Sequence, residues 1–378
     1  MKEHSQFRAS AKVDLGVIRE NIKNINNALP ENTRTVGVIK ADAYGHGALS
    51  VALAVSDLVC AFALATPDEA LEIRSAIPDK PIMLLGYAHP AAYVQLISSD
   101  IQPAIFRYED ALALSECAVK SSRTAKVNIK LDTGMGRIGF DCSDKTVDII
   151  ESISKLPGIS ISGIFTHFSS ADGADNSDVQ FTKAQRQKLS DIIERCRQRS
   201  VEFEFVSASN SAAIIENTGA QFDLARAGIL MYGYYPSNEV KKSVKVRPAL
   251  SLHSHIIQIK DVPAGYPVGY GRAFVSSSPM KIATVPVGYG DGYPRLLSNR
   301  GRVLIHGEYA PIVGRICMDM FMVDITHIPD ATELDEVVLL GSQGENSIDA
   351  DEIAGLADTI SYEIICSVGK RVPRIYLQ

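Results

Sequence analysis

Val36-Gly-Val-Ile-Lys40-Ala-Asp-Ala-Tyr44-Gly-His46-Gly47 is a short apolar run that stops on a lysine and breaks into a turn of small residues. A nearly continuous apolar run is the pattern of a parallel strand buried on both faces. Thr35–Lys40 is the first of eight such runs; the others are Ala61–Ala65, Pro81–Leu85, Gln102–Phe106, Lys126–Leu131, Ile161–Thr166, Phe203–Ser207 and Phe222–Ala225. Helical patterns lie between them. Thr66, Pro67 and Glu69 supply an N-cap, a first-turn proline and a capping-box acid. Asp110–Lys120 and Phe181–Arg199 carry apolar residues at helical spacing, and Leu15–Leu29 fits a helix that ends before Pro30. Eight strands alternating with helices over roughly 200–250 residues predict a (β/α)8 barrel. A doubly wound open sheet shares the alternation, but no G-x-G-x-x-G follows the first run.

After about Lys245 the character changes. Leu252–Ile259, Met280–Pro286, Arg302–Ile305, Ala310–Arg315, Phe321–Asp324 and Glu336–Leu340 are separated by Gly, Pro and Asp turns, which predicts a mostly antiparallel β domain. A boundary in the polar stretch Ser237–Arg247 yields an α/β barrel over 12–240 and a β domain over 241–378, with residues 1–11 expected to pack with the latter.

The 378 residues are too many for one small domain, and 46% apolar with 22% charged content is ordinary for a globular chain. A net charge of -6 offers no electrostatic attraction to nucleic acid or a membrane surface. No apolar run is long enough to span a bilayer, and Met1–Ser10 lacks a signal-peptide core. Cys60, Cys117, Cys142, Cys196, Cys317 and Cys366 are widely spaced and form no C-x-x-C pair, so they read as free thiols of a cytoplasmic protein, with no zinc site.

A lysine at a barrel mouth is costly to bury as an ammonium. Held neutral, the same amine can form a Schiff base with an aldehyde cofactor; snorkelling out at the strand end is the alternative. His46, in a Gly-His-Gly turn, reads as structural. After the fifth run, Ile129-Lys130-Leu-Asp132-Thr-Gly-Met-Gly136-Arg137-Ile-Gly-Phe140 ends a strand on Lys130 and presents Arg137 from a glycine loop, which suits a carboxylate. A Lys130–Asp132 surface pair is the plain alternative. His167 closes the sixth run, Ser209-Asn210-Ser211 follows the seventh, and Leu224-Ala-Arg226-Ala-Gly228-Ile229 follows the eighth. Loops after the seventh and eighth strands are the usual phosphate grip of such barrels, although Asn and Ser are also ordinary N-caps. Arg226 also fits a salt bridge to Asp223.

The segment Ile39-Lys40-Ala-Asp-Ala-Tyr44-Gly-His-Gly resembles the pyridoxal-phosphate attachment motif of bacterial alanine racemases. The likeness continues through Pro267-Val-Gly-Tyr270-Gly-Arg, Pro286-Val-Gly-Tyr289-Gly-Asp-Gly-Tyr293-Pro-Arg295, Gly314-Arg315-Ile-Cys317-Met318-Asp319, Ser361-Tyr362 and Arg371-Val-Pro-Arg374, in order along the whole chain. Asp42 and Ala273-Phe274 are mild departures. The resemblance implies an isomerase that interconverts L- and D-alanine, for peptidoglycan or alanine breakdown. It implies pyridoxal 5'-phosphate on Lys40, with Tyr44, Ser211, Gly228, Ile229 and Tyr362 at the phosphate, Asn210 beside them, and His167 in the network around the cofactor. Arg226 would face the pyridine nitrogen. Arg137 and the Met318 amide would bind the substrate carboxylate, with Cys317 and Asp319 flanking. Tyr289 would narrow the entrance inside a charged shell of Asp172, Arg295 and Arg315. The lysine matching Lys130 is carbamylated in many members.

The resemblance also implies a two-base mechanism. Lys40 would handle the D-alanine proton and Tyr270 the L-alanine proton, with His167 and Arg226 supplying a cationic neighbourhood for the phenol. Tyr270 and its neighbours would come from a partner chain, making a homodimer. Serine racemisation, decarboxylation and a cofactor carrier without turnover are the rival readings; a barrel glycosidase would leave Lys40 unexplained.

Overall fold

The computed structural model describes residues 7–216 and 222–378. Residues 1–6, part of the segment expected to pack with the β domain, lie outside that range. The chain forms two compact units, one of Ile18–Ala43 and Ala48–Arg247, the other of the stretch through Val17, Tyr44–Gly47 and Pro248–Gln378.

The first strand, β1 (Ala9–Asp14), belongs to the second unit. The first unit holds β2 (Arg34–Val38), β3 (Ala61–Leu64), β4 (Ile82–Leu84), β5 (Ile101–Gln102), β6 (Ala104–Ile105), β7 (Ala125–Lys130), β8 (Ile159–Phe165), β9 (Phe205–Ser207) and β10 (Leu224–Ala227). They run β5-β4-β3-β2-β10-β9-β8-β7-β6, every pair parallel. Each of the eight runs read from the sequence overlaps an observed strand. The fourth becomes two, because Pro103 has no N–H to give to a ladder. Its carbonyl still accepts from Asn128 N–H at 3.0 Å. The two ends of the strand order are therefore chain neighbours, and the barrel is nearly closed. The cap read at Thr66 is present: its hydroxyl accepts Glu69 N–H, and Glu69 returns a bond to Thr66 N–H at 3.3 Å.

In the second unit, β1 pairs antiparallel with Leu250–His255 and parallel with Arg374–Leu377. The other pairings of its main sheet are antiparallel. A small hairpin, Pro267–Val268 with Phe274–Val275, brackets Tyr270. It is rooted in a core of Val262, Val268, Met280, Ile282 and Val313, against which Phe274 and Met322 pack. Among the described residues no helix is long and apolar enough to cross a membrane.

Candidate active site

Parallel strands deliver their C-terminal ends to one rim. The adjacent strands β2, β10, β9, β8 and β7 bring together Lys40 after β2, Arg226 in β10 with Gly228 and Ile229 beyond it, Ser209–Ser211 after β9, His167 after β8, and Lys130 ending β7. Five stretches scattered through the sequence thus share one arc.

The chain leaves Lys40 through a left-handed turn: Ala41, Asp42, Ala43 and Tyr44 have φ of 52°, 53°, 52° and 54°. Each such L-residue costs about 1–2 kcal/mol, and two carboxylates hold the turn. Glu69 Oε1 accepts Ala41 N–H at 2.7 Å, and Asp42 Oδ1 accepts Ala48 N–H at 2.7 Å. The capping acid seen in the sequence therefore also anchors the residue after Lys40, a tie that capping patterns do not reveal.

Arg226 is buried, 3% exposed. It donates to Ser207 Oγ at 2.5 Å and to the carbonyls of Thr166 at 2.8 Å and Ala208 at 3.0 Å. Burial lowers its pKa to about 10, which leaves it cationic at neutral pH. Asp223 is not its partner; that carboxylate accepts Val206 N–H at 2.7 Å. Arg226 Nη2 lies 3.3 Å from His167 Nδ1. A guanidinium only donates, so Nδ1 accepts and the ring proton sits on Nε2. Burial, then the charges of Arg226, Arg137, Lys130 and Lys40, push the His167 pKa down to about 2. The linked pair exists as expected from the sequence, but its positive charge resides on Arg226; His167 is a neutral Nε2–H donor.

Lys130 and Asp132 are not a surface pair. Lys130 is 3% exposed, donates to Leu131 O at 2.7 Å and lies over the Phe165 ring. Burial and then Arg226 lower its pKa to about 7, with Asp132 opposing. The Asp132 carboxylate accepts the amides of Gly134 at 2.9 Å, Gly136 at 3.0 Å and Arg137 at 3.1 Å. It folds the loop that presents the exposed Arg137. Sequence reading did not assign Asp132 this role; a carboxylate two residues before a Gly-x-Gly stretch is the available signal.

Ser211 Oγ accepts Gly228 N–H at 3.1 Å. Ile229 opens the 3-10 turn Ile229–Tyr232, where the leading amide has no partner within the turn. Asn210 caps the helix Ser211–Glu216 through Ala213 N–H at 3.1 Å and donates to Phe168 O at 3.1 Å. Asp172 is half-buried in the loop after β8.

The second unit groups the remaining candidates. Tyr44 and Tyr362 rings lie 6.0 Å apart, and burial raises the Tyr44 phenol pKa. His46 is fully buried with Nδ1 3.0 Å from Tyr44 O. Tyr289 N–H bonds Cys317 O at 3.1 Å and Gly290 N–H bonds Met318 O at 2.9 Å, so the two motifs form one stitched surface. Beneath it, Asp291 accepts Gly288 N–H at 2.9 Å and pairs with Arg8, while Arg371 binds Asp319 at 2.6 Å. Arg295 starts a 3-10 turn nearby in sequence, and the Arg315 guanidinium lies beside Gly271. Tyr270 is 70% exposed, Met318 52% and Tyr289 43%.

Two family models match the chain: alanine racemase, N-terminal domain, over residues 13–236, and alanine racemase, C-terminal domain, over 249–376. The chain is 45% identical over 362 residues to an alanine racemase of Syntrophobacter fumaroxidans, covering 95% of each protein. It is 41% identical over 367 residues to that of Halothermothrix orenii, covering 97% and 96%. Among solved structures, alanine racemase of Clostridium difficile superposes with a TM-score of 0.92 at 37% identity, over 98% of this chain and 96% of the other. That of Bacillus anthracis with bound L-Ala-P superposes at 0.92 and 33% identity, over 98% and 95%.

Proposed function

Because this chain belongs to the alanine racemase family, we propose that it interconverts L- and D-alanine with pyridoxal 5'-phosphate at the barrel rim and with Lys40 and Tyr270 as its two bases. The observation that carries this reading is the one arc of strand ends that brings Lys40, Lys130, His167 and Arg226 together with Ser209–Ser211, Gly228 and Ile229. The donor set fits the cofactor. Ser211 and Ile229 offer a hydroxyl and a backbone amide to a phosphate, with Asn210 beside them, and the Gly228 amide, which donates to Ser211 Oγ at 3.1 Å, would turn to the phosphate when it binds. Tyr44 and Tyr362 offer phenols. Lys40 offers the amine.

The cofactor supplies an aldehyde for the substrate amine and a ring that acidifies the α-carbon. Arg226, buried and still cationic at neutral pH, would leave a ring nitrogen held against it without a proton, which would limit charge delocalisation and favour prompt return of the α-proton. Lys40 and Tyr270 act from opposite faces, since inversion needs a base on each side. Arg137 and the Met318 amide hold the substrate carboxylate, and His167, neutral with its proton on Nε2, keeps one ring donor for the site. Arg295, Arg315 and Asp172 form the outer charged approach, with Tyr289, Cys317 and Asp319 around the inner entrance. The exposure of Tyr270, Met318 and Tyr289 supports a homodimer in which a second copy covers them. The Clostridium difficile structure in complex with cycloserine and the Bacillus anthracis one with L-Ala-P support a small amino-acid-like substrate.

The test is α-proton exchange and chirality of alanine with purified protein in deuterated water, with and without added cofactor. Both enantiomers should exchange and racemise. Cofactor absorbance without exchange would mean a carrier, carbon dioxide release a decarboxylase, and faster turnover of serine a serine racemase.

Lys130 yields a second prediction. With a pKa of about 7, roughly half its amine is neutral at pH 7, and a neutral amine adds carbon dioxide through its lone pair and loses one N–H proton to solvent to form an anionic carbamate. Carbon-13 bicarbonate should give a carbamate resonance that Lys130→Met removes. The signal should weaken about one pH unit below that pKa, where the amine is protonated, and strengthen about one unit above it. No resonance on the alkaline side would overturn the assignment.

A further inference from the structure

The barrel unit contains a buried polar seam that the reaction scheme does not use. Gln185, on the helix Asn176–Gln198, is 0% exposed. Its Oε1 accepts Ser169 N–H at 3.1 Å and the Ser169 hydroxyl at 3.3 Å. Its Nε2 donates to His167 O at 3.2 Å and to Thr133 Oγ1 at 3.3 Å. A backbone N–H must donate and a carbonyl must accept, so the amide has one orientation. From Thr133 the seam passes to Thr166 Oγ1 at 2.8 Å, and Thr166 donates to Leu131 O at 3.0 Å. Thr133 is 1% exposed and Thr166 0%. Lys188, three residues after Gln185 and so on the same helix face, donates to Thr133 O at 3.2 Å. The carbonyl of Thr166 also accepts from Arg226.

Both loops gripped by this seam carry candidate site residues. The loop after β7 leads to Arg137 and the loop after β8 bears His167. A leucine would fill the space of Gln185 as well, so four polar contacts aimed at these two loops call for another explanation. We propose that Gln185 is a positioning residue for the reaction: it sets the His167 main chain against the Thr133 loop and thereby fixes the His167 ring relative to Arg137. The proposal rests on the reading of His167 and Arg137 as working site residues.

The test compares Gln185→Leu and Gln185→Glu. The leucine variant loses all four bonds. The ionised glutamate keeps both Ser169 bonds and loses both donations; when protonated it regains one donor. In Gln185→Leu, kcat/KM for alanine should fall about ten- to a hundredfold with cofactor absorbance retained, the scale of a small misplacement of reacting groups. Gln185→Glu should be more active on the acid side of its own titration and lose activity as pH rises through it, a slope absent from the wild type. In cofactor-free protein, amide hydrogen exchange over 131–137 and 166–170 should quicken about tenfold or more in both variants while β2 and β3 remain protected.

Wild-type exchange at these two loops, with a wild-type pH profile in Gln185→Glu, would overturn the proposal and leave Gln185 as packing. The glutamate variant carries the test if the leucine variant does not fold. A wild-type protein that fails to exchange the α-proton of alanine would instead sink the functional reading, while loop exchange would still judge the seam.

Discussion

Lys40→Ala should abolish racemisation, lowering kcat by about 10⁴-fold or more. That exceeds what a general base alone contributes, about 10²–10⁴-fold, because the same amine also anchors the cofactor. The visible absorbance of the lysine-linked cofactor should vanish, and borohydride should no longer attach cofactor to the protein. The phosphate donors at Ser211, Gly228 and Ile229 are untouched, so weak cofactor binding should persist. The turn that follows should also keep its shape, since Glu69 and Asp42 bind backbone amides of Ala41 and Ala48. Normal absorbance with a reducible attachment in this variant would remove Lys40 from the mechanism.

Tyr270→Phe ranks next. Only a hydroxyl is lost, on a side chain 70% exposed in the single chain, so folding of the subunit should change by no more than about 0.5 kcal/mol. Racemisation should fall about 10²–10⁴-fold while cofactor remains bound. The signature is asymmetry. Lys40 still serves D-alanine, so D-alanine should exchange its α-proton with solvent without appearing as L-alanine, and exchange from L-alanine should nearly stop. Wild-type turnover, or equal loss of both exchanges, would exclude Tyr270 as the base on the L side.

The charge states of the rim were not legible in the same way as its residues. Without the resemblance Lys130 reads as half of a surface pair with Asp132, whereas in the folded chain burial, then Arg226 and Arg137, depress its pKa. His167 reads as a partner in positive charge, yet burial and then the positive charge around it, Arg226 foremost, keep it neutral. Both results depend on distances between strands that are remote in sequence. Gln185 left no signal: a glutamine at a helical position looks solvated until the loops after β7 and β8 close over it.

Local order along the chain determined the alternation of strand and helix, the cap at Thr66, and the placement of Lys40, Lys130, His167 and Arg226 in or just after β-rich runs. Periodicity, proline and capping chemistry act over a few residues and so survive in one dimension. Tertiary structure alone decided that β1 lies between Leu250–His255 and Arg374–Leu377, and that five strand ends share one arc. It also decided which groups on that arc hold their protons, because strand pairing, burial and electrostatic coupling act between residues that the chain separates by tens or hundreds of positions.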